Sequence, residues 1–147
     1  MYVEQQKRVC KVLLAEDNPN DIRIFERVVR KKQDRFRLEV VMDGVAALEF
    51  LRKEGAWHNA WTPDLAVLNL NMQNLNGWGV LKAMKEDPAL RIIPIAIWSN
   101  SQMEEDIKKA FEASCSGMFS KQVDMKDAMD QVGAMLEFHW WSQPYPY

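Results

Sequence analysis

Short apolar runs alternate with amphipathic stretches along the chain. Residues 9–14 (VCKVLL) form an apolar, β-rich run that is typical of a buried strand, and a polar cluster follows it. In that cluster, Asn18 suits a helix N-cap and Pro19 suits the first helical position. Helical spacing of the next apolar residues predicts a first helix that ends near Lys32; they are Ile22, Phe25 and Val29.

Four further runs predict strands, at residues 36–41, 65–70, 92–98 and 117–120. Residues 65–70 (LAVLNL) are the most apolar stretch of the first half, which favours a central strand. Pro94 should lie at the beginning of the fourth strand, because a proline donates no hydrogen bond to the sheet.

Apolar stripes at helical spacing predict four more helices. The second should end near Gly55, a natural residue after a helix, and the third should stop before Pro88. Asn76 and Gly77 predict a tight turn before that third helix. The stripes are Val45, Leu48 and Leu51; Trp78, Leu81 and Met84; Ile107, Ala110, Phe111 and Ser114; and Met125, Met129, Val132 and Leu136.

Five strands that alternate with five helices predict an α/β fold, a doubly wound five-stranded parallel sheet of the flavodoxin-like (βα)5 type. We expect one domain over residues 1–138 and a C-terminal tail over residues 139–147. Ligands of such folds bind beyond the carboxyl ends of the strands. Polar residues at those ends should therefore meet in one pocket: Glu16, Asp17, Asn69, Ser99 and Lys121.

The overall charge and hydropathy exclude several classes of protein. The 147 residues carry a formal net charge of −2 and a sequence pI of about 5.7, so we expect no nucleic-acid partner. No apolar run approaches the roughly 20 residues that a bilayer span needs, so we expect no membrane partner. Residues 1–8 lack the apolar core of a signal peptide, and a cytoplasmic location is expected by default.

The cysteines and histidines show no metal or redox pattern. Cys10 and Cys115 are not spaced as a CxxC motif, and we interpret both as reduced packing residues. His58 and His139 are far apart, and neither has a metal-ligand companion at helical spacing.

Four segments, in order, resemble the motif series of two-component receiver domains: LLAEDNPND, PDLAVLNLN, IPIAIWSNS and GMFSKQVD. The resemblance covers nearly the whole chain. Three further segments are similar to the stand-alone regulators of bacterial phytochrome histidine kinases: LRKEGAWHNAWTPDL, EDPALRIIPI and LEFHWWSQP.

The resemblance implies a role for each pocket residue. Glu16 and Asp17 match the acidic pair that holds Mg²⁺, and Asn71 matches the position whose backbone carbonyl joins the metal. Ser99 matches the hydroxyl that turns toward a phosphoryl group, and Lys121 matches the lysine that pairs with it.

Three positions depart from the family pattern. Asn69 stands where the family has its phosphate-accepting aspartate, Met118 replaces the aromatic switch residue, and Gln122 replaces a proline. An engineered aspartate-to-asparagine change would explain Asn69 alone, whereas the changes at Met118 and Gln122 favour a natural origin.

These departures predict altered chemistry. Phosphoryl transfer needs an anionic nucleophile, a divalent cation and an ammonium group, and a carboxamide is no such nucleophile. With one carboxylate fewer we expect weak Mg²⁺ binding at best, and Lys121 should move toward Glu16 or Asp17. The pocket should be fixed in one state, active-like or inactive-like, and the sequence does not choose between them.

The expected function is a stand-alone signalling adaptor that docks to a histidine kinase or phosphotransfer protein and has no enzymatic activity. The alternative is a dimeric interaction protein on a receiver fold that works independently of a kinase. Trp140 and Trp141 either pack back on their own domain or join a homodimer interface, and the resemblance favours the homodimer.

Overall fold

Five parallel strands form one sheet in the computed structural model, which describes residues 8–100, 105, 108, 109, 112 and 115–142. The strands are β1 (Cys10–Ala15), β2 (Phe36–Val41), β3 (Leu65–Leu68), β4 (Ile95–Ser99) and β5 (Gly117–Ser120). Their order is β2-β1-β3-β4-β5, and every pairing is parallel. This order confirms the predicted flavodoxin-like α/β fold, whose direction of winding reverses between β1 and β3.

The helices with described bounds are α1 (Pro19–Arg30), α2 (Gly44–Arg52), α3 (Gly77–Glu86) and α4 (Met125–Ser142). A short 3₁₀ helix covers Gly55–Trp57. Residues 105, 108, 109 and 112 are helical, but the apolar stripe predicted for that helix lies outside the described residues: Ile107, Ala110, Phe111 and Ser114.

Side-chain caps fix where the helices begin. Asn18 Oδ1 accepts hydrogen bonds from the amides of Asn20 (2.9 Å) and Asp21 (3.2 Å), so the predicted N-cap is confirmed. Asn76 caps α3 in the same way through the Gly79 amide at 3.0 Å. The predicted turn at Asn76 and Gly77 is therefore the start of α3.

The end of α2 differs from the prediction. Lys53, and not Gly55, is the left-handed residue that follows the helix, with φ at 57°. Gly55 also has a positive φ of 56°, but it begins the 3₁₀ helix. Gly55 is therefore left-handed, as a residue after a helix often is, but it lies in the turn that follows and does not end α2.

Two strands are shorter than predicted. β3 ends at Leu68, two residues early, although the Asn69 amide still donates to the Ala15 carbonyl of β1. β4 begins at Ile95, directly after Pro94, and Ile92 is 78% exposed. Pro94 therefore precedes the ladder, as its missing N–H requires.

The sheet separates two apolar cores. Alternate residues of β1 point to opposite sides, so Leu13 packs against α2 and α3 whereas Val12 packs against α1 and α4. Phe25 and Trp98 pack edge to face in the second core, with their ring centroids 5.7 Å apart.

The C-terminal helix continues four residues past the predicted domain boundary, through His139 to Ser142. His139 is buried, and the Trp140 ring lies 5.4 Å from the Phe36 ring. Met125 was predicted in the core but is 57% exposed, because the helix first covers the sheet at Ala128.

Candidate functional site

The carboxyl ends of four strands bring together the polar residues that the topology predicted. Glu16 follows β1, Asn69 follows β3, Ser99 ends β4 and Lys121 follows β5. Glu16, Asn69 and Ser99 are buried. Backbone hydrogen bonds tie these ends together, from the Asn69 amide to the Ala15 carbonyl (3.0 Å) and from the Lys121 amide to the Ser99 carbonyl (2.9 Å).

The Asn69 carboxamide is fully engaged in this pocket. Its Nδ2 donates to Glu16 Oε1 and to the Asn71 carbonyl, each at 3.0 Å, and its Oδ1 accepts from the Asn71 amide at 3.3 Å. A carboxylate and a carbonyl only accept hydrogen bonds, whereas an amide N–H only donates. The network therefore admits one orientation of the carboxamide, with NH₂ toward Glu16.

Glu16 is the centre of the pocket and is fully buried. Its Oε1 also accepts from the amides of Asp17 (3.2 Å) and Asn18 (3.1 Å), and its Oε2 lies 2.7 Å from Lys121 Nζ. Burial raises the pKa of the Glu16 carboxyl, while Lys121 and the Asn18 amide oppose that rise. Glu16 Oε1 thus accepts three hydrogen bonds, whereas Oε2 accepts none and is balanced by the ion pair with Lys121.

Lys121 is held by two carboxylates. Besides Glu16, its Nζ donates to Asp21 Oδ2 at 2.8 Å, and its side chain is 5% exposed. The expectation that Lys121 moves toward Glu16 or Asp17 is confirmed for Glu16, while the second partner is Asp21. Asp21 was not among the predicted site residues, although its place in the first turn of α1, one turn after Asp17, was a usable signal.

A buried tryptophan links the pocket to α4. Lys121 Nζ lies 5.1 Å from the ring centre of Trp98, within the range of a cation–π contact. Trp98 Nε1 donates to Gln131 Oε1 at 3.0 Å, and Gln131 Nε2 donates to the Ser120 carbonyl at 2.7 Å. The ammonium, the indole and α4 therefore form one continuous set of contacts.

Most of the predicted metal ligands are already engaged within the protein. The half-buried Asp17 carboxylate is the exception among the described residues, whereas the Asn71 carbonyl accepts the Asn69 NH₂. Glu16 Oε1 receives three donors and Oε2 faces an ammonium. The donor set does not fit a tightly held Mg²⁺, which needs free oxygen atoms in near-octahedral array. Within the described residues no group of three or more His, Cys, Asp or Glu side chains is arranged to hold a metal.

Met118 and Gln122 lie on either side of Lys121 along the chain. Met118 is half-buried, pairs with Ile97 across the β4–β5 ladder and packs on the core that α2 and α3 cover. Gln122 Nε2 donates to the Ser120 carbonyl at 3.1 Å. Neither residue contributes an aromatic ring at the edge of the pocket.

Gly77 packs closely against Asn69, a pocket residue, whereas the sequence predicted only a turn at this glycine. A Cβ at Gly77 would lie 2.3 Å from the Asn69 carbonyl oxygen and 2.8 Å from Leu70 Cα. The first turn of α3 therefore approaches the end of β3 more closely than any side chain allows.

The two tryptophans predicted at an interface differ in their surroundings. Trp140 is half-buried against Phe36 and Arg35 of its own domain, whereas Trp141 is 76% exposed. The other exposed aromatic residue of α4 is Phe138, at 67%. A homodimer interface at these residues remains a prediction.

Both cysteines are free thiols, as predicted. Cys10 is buried and Cys115 is half-buried, and burial raises the pKa of the Cys115 thiol. Across the described part of the chain, no helix has the length and apolar character to cross a bilayer.

Comparison with known proteins identifies the family. Residues 12–133 match the response regulator receiver domain. The chain is 30% identical to the response regulator Rcp1 of Synechocystis sp. over 127 residues, which cover 86% of each protein.

Solved structures agree with this match. The phosphorylated cyanobacterial phytochrome response regulator RcpA superposes with a TM-score of 0.87 at 32% identity, over 92% of this chain and 96% of that chain. The Mn²⁺-bound form of Rcp1 gives the same TM-score at 28% identity, over 94% and 99%. The chain belongs to the response regulator receiver domains of two-component signalling, and it is similar to those of phytochrome pathways.

Proposed function

We propose that this protein is an atypical single-domain response regulator that signals by docking and takes no phosphoryl group at residue 69. Receiver domains interact with kinases or phosphotransfer proteins. In this proposal Asn69 stands in the place of the phosphate-accepting aspartate. The protein then contributes a binding surface, and it has no enzymatic activity of its own.

The observation that carries the proposal is the position of the Asn69 NH₂ group. It donates to Glu16 Oε1 and to the Asn71 carbonyl, the two groups that would otherwise face a cation. The uncharged NH₂ group thus satisfies hydrogen-bond acceptors on the acidic side of the pocket, while the Lys121 ammonium balances the charge of Glu16. A pocket satisfied in this way needs neither Mg²⁺ nor phosphate to be stable, so we expect Mg²⁺ binding to be weak.

The chemistry of the carboxamide supports the same conclusion. Attack on a phosphorus atom requires an oxygen with an available negative charge, and an amide oxygen is close to neutral. Asn69 Oδ1 already accepts a hydrogen bond from the Asn71 amide. The Lys121 ammonium, which would stabilise a transferred phosphoryl group, is committed to Glu16 and Asp21.

Intact-mass analysis tests the proposal. The unaltered chain and an Asn69→Asp variant are each incubated with a small phosphodonor and Mg²⁺. We expect a hydroxylamine-sensitive gain of one phosphoryl group in the variant and no gain in the unaltered chain. Phosphorylation of the unaltered chain at Asn69 would refute the proposal.

A second candidate function is a homodimeric interaction protein that acts independently of a kinase. Phe138 and Trp141 are three residues apart on α4, so both project from one helix face, and both are more than half exposed. Large aromatic residues that are this exposed to solvent are typical of a surface that a partner covers. A second copy would present the same two residues through a two-fold axis.

Sedimentation at several concentrations tests the dimer. We expect a dimer for the unaltered chain and a monomer for a Trp141→Ser variant, because the change removes a mostly exposed indole that touches its own domain through the hydrogen bond from Nε1 to Glu137 Oε2. The control change Val45→Ser alters an exposed apolar residue of α2, on the opposite face of the sheet from α4, and should leave the dimer intact. A monomer at every concentration of the unaltered chain would overturn this candidate.

A further inference from the structure

A small cavity lies beneath the second half of α4, at the amino ends of β3 and β4. Its volume is about 150 Å³. Four of its lining residues are buried and form its floor: Leu65, Ala96, Met135 and His139. Phe138 and Ser142 are exposed and form part of its rim. We call this space the α4 cavity.

The α4 cavity is separate from the pocket that contains Asn69. That pocket lies beyond the carboxyl ends of the strands, whereas Leu65 is the first residue of β3 and Ala96 is the second residue of β4. At a rise of about 3.3 Å per residue, Ser99 lies roughly 10 Å farther along β4 than Ala96 does. The chemistry proposed for Asn69 therefore does not involve this cavity.

The walls of the α4 cavity favour an uncharged ligand. Six of its nine lining residues are apolar, so an ionised group placed there would lose its hydration without a matching counter-charge. A cavity of this volume accommodates a molecule of about the size of benzene. The volume also favours one free ring over a peptide segment, whose backbone needs more room.

His139 provides a polar group on the floor of the cavity, where it is 6% exposed. Burial lowers the pKa of the His139 imidazole, although the Asp64 carboxylate opposes that shift, so the ring is neutral at pH 7. A neutral imidazole carries one N–H donor and one acceptor nitrogen. A hydroxyl group both donates and accepts, so it can form a hydrogen bond with either nitrogen.

We propose that the α4 cavity binds a small neutral aromatic molecule with one hydroxyl group, a ligand of the phenol class. The aromatic ring packs between Ala96 and Met135, and the hydroxyl group faces His139. The inference goes beyond the proposed function, because it gives the domain a chemical input at the end of the sheet opposite Asn69. Since Phe138 borders the cavity, the bound molecule also adjoins the exposed aromatic residues of α4.

An NMR titration of the ¹⁵N-labelled full chain with phenol tests the proposal. We expect saturable shifts with a dissociation constant of about 1 mM or tighter, which is reasonable for a ligand of about seven heavy atoms. The shifts should include the amides of Leu65, Ala96 and His139, and they should leave those of Glu16 and Asn69 unchanged. Benzoate has the same ring but carries a charge, so it should not produce these shifts at equal concentration.

Two variants test the geometry of the cavity. Ala96→Val adds two methyl groups to the floor and should weaken phenol binding at least about tenfold. The control Ala56→Val makes the same change at an exposed residue of the 3₁₀ helix, on the α2 side of the sheet, and should alter the affinity less than about twofold.

His139→Leu tests the hydrogen bond separately. It should weaken the binding of phenol about fivefold and change that of toluene, which has a methyl group in place of the hydroxyl, less than about twofold. A general loosening of α4 would instead weaken the binding of both molecules equally. This comparison stands even where Ala96→Val does not fold.

Several outcomes would overturn the proposal. They are the absence of saturable shifts with phenol, equal shifts with benzoate, an unchanged affinity in folded Ala96→Val, and equal losses for phenol and toluene in His139→Leu. Phenol affinity that rises about tenfold in Tyr145→Ser/Tyr147→Ser would also overturn it, because the chain's own tyrosines would then compete for the cavity. The mass analysis of Asn69 is independent of every one of these results.

Discussion

One functional group at residue 69 decides the electrostatics of the whole pocket. The Asn69 nitrogen lies 3.0 Å from a buried Glu16 oxygen and donates to it. An aspartate in the same place would put two anionic oxygens at that distance, which requires a cation between them. The amide removes that requirement.

The change Asn69→Asp should therefore create a divalent cation site. One added charge at about 5 Å contributes roughly 3 kcal/mol per unit charge at an effective dielectric of ~20, before solvation is counted. We expect Mg²⁺ to bind at least about tenfold more tightly, as calorimetry would measure. The exposed change Asn59→Asp adds the same charge elsewhere and should leave the affinity unchanged; equal gains in both variants would contradict this explanation.

Lys121 is the residue whose loss should cost the most stability in the pocket. Removal of the ammonium leaves Glu16 fully buried without its counter-charge. We expect Lys121→Met to lower the free energy of unfolding by about 3 kcal/mol in urea denaturation. Lys126 is 83% exposed in its pair with Asp130, so Lys126→Met should cost less than about 0.5 kcal/mol. Similar losses in the two variants would show that the Lys121 pair is not buried in solution.

Among individual residues, the sequence predicted which side chains lie in the pocket better than it predicted the contacts that they make. Glu16, Asn69, Ser99 and Lys121 were predictable because parallel strands end at one edge of the sheet. Asp21 was predictable only in part: its place one turn after Asp17 was a signal, but its contact with Lys121 depends on how α1 packs across 100 residues of sequence. The engagement of the Asn69 NH₂ likewise depends on distances that no pattern encodes.

The last turns of α4 clamp the segment between α1 and β2. Glu137 accepts from Lys32 Nζ at 2.7 Å and from Arg35, and Trp140 packs on Phe36. Arg35 above all, and Lys32 with it, lower the pKa of Glu137 to about 2. These contacts make Trp140, like the buried His139, part of the domain's packing.

The clamp predicts a pH-dependent loss of stability. Because the folded pKa of Glu137 lies below the ordinary value of 4.5, its contribution is complete above pH 4.5 and is lost as the pH falls toward 2. With a side chain that is 32% exposed, we expect Glu137→Gln to cost about 1–2 kcal/mol at pH 7. The cost should vanish near pH 2 in denaturation experiments. The exposed Glu86→Gln serves as control, and a pH-independent cost would reject the ion-pair explanation.

Replacement by alanine should change the stability of the protein in opposite directions at two helical glycines. Gly77→Ala forces a methyl group against the Asn69 carbonyl and should cost at least about 2 kcal/mol. Gly133 lies within α4, and a Cβ added there would have its nearest neighbours at 3.9 Å. Gly133→Ala should therefore raise the free energy of unfolding by about 0.5–1 kcal/mol. Thermal unfolding of both variants measures the difference, and a stable Gly77→Ala protein would contradict the close approach.

Element types followed from periodicity, whereas element ends depended on tertiary contacts. β2 and β5 match their predicted bounds. α4 extends past its prediction because Trp140 finds a packing partner in β2, a contact between distant parts of the sequence. Met125 has the same apolar character as its neighbours, and only the position of the sheet leaves it exposed.

The whole molecule is organised by a sheet that both cores share. Strand neighbours such as Val67 and Leu68 face opposite cores, so a change in either core acts on the same backbone. We expect the two cores to unfold in one cooperative transition.

Leu68→Ala tests that expectation. Leu68 is fully buried in the core on the α2 and α3 side, and its truncation should cost 2–5 kcal/mol. Tryptophan fluorescence and far-UV circular dichroism should shift to the same new midpoint. The fully exposed Val123→Ala should leave the midpoint unchanged, and separate midpoints for the two probes would show that the cores unfold independently.

The contact between Lys121 and the fully buried Trp98 has a practical consequence. An ammonium 5.1 Å from the indole centre perturbs its excited state, and Trp98 is shielded from solvent at 1% exposure. Any ligand or partner that draws Lys121 away should change the emission of this one indole. The fluorescence of Trp98 should therefore report on changes in the pocket without an added label.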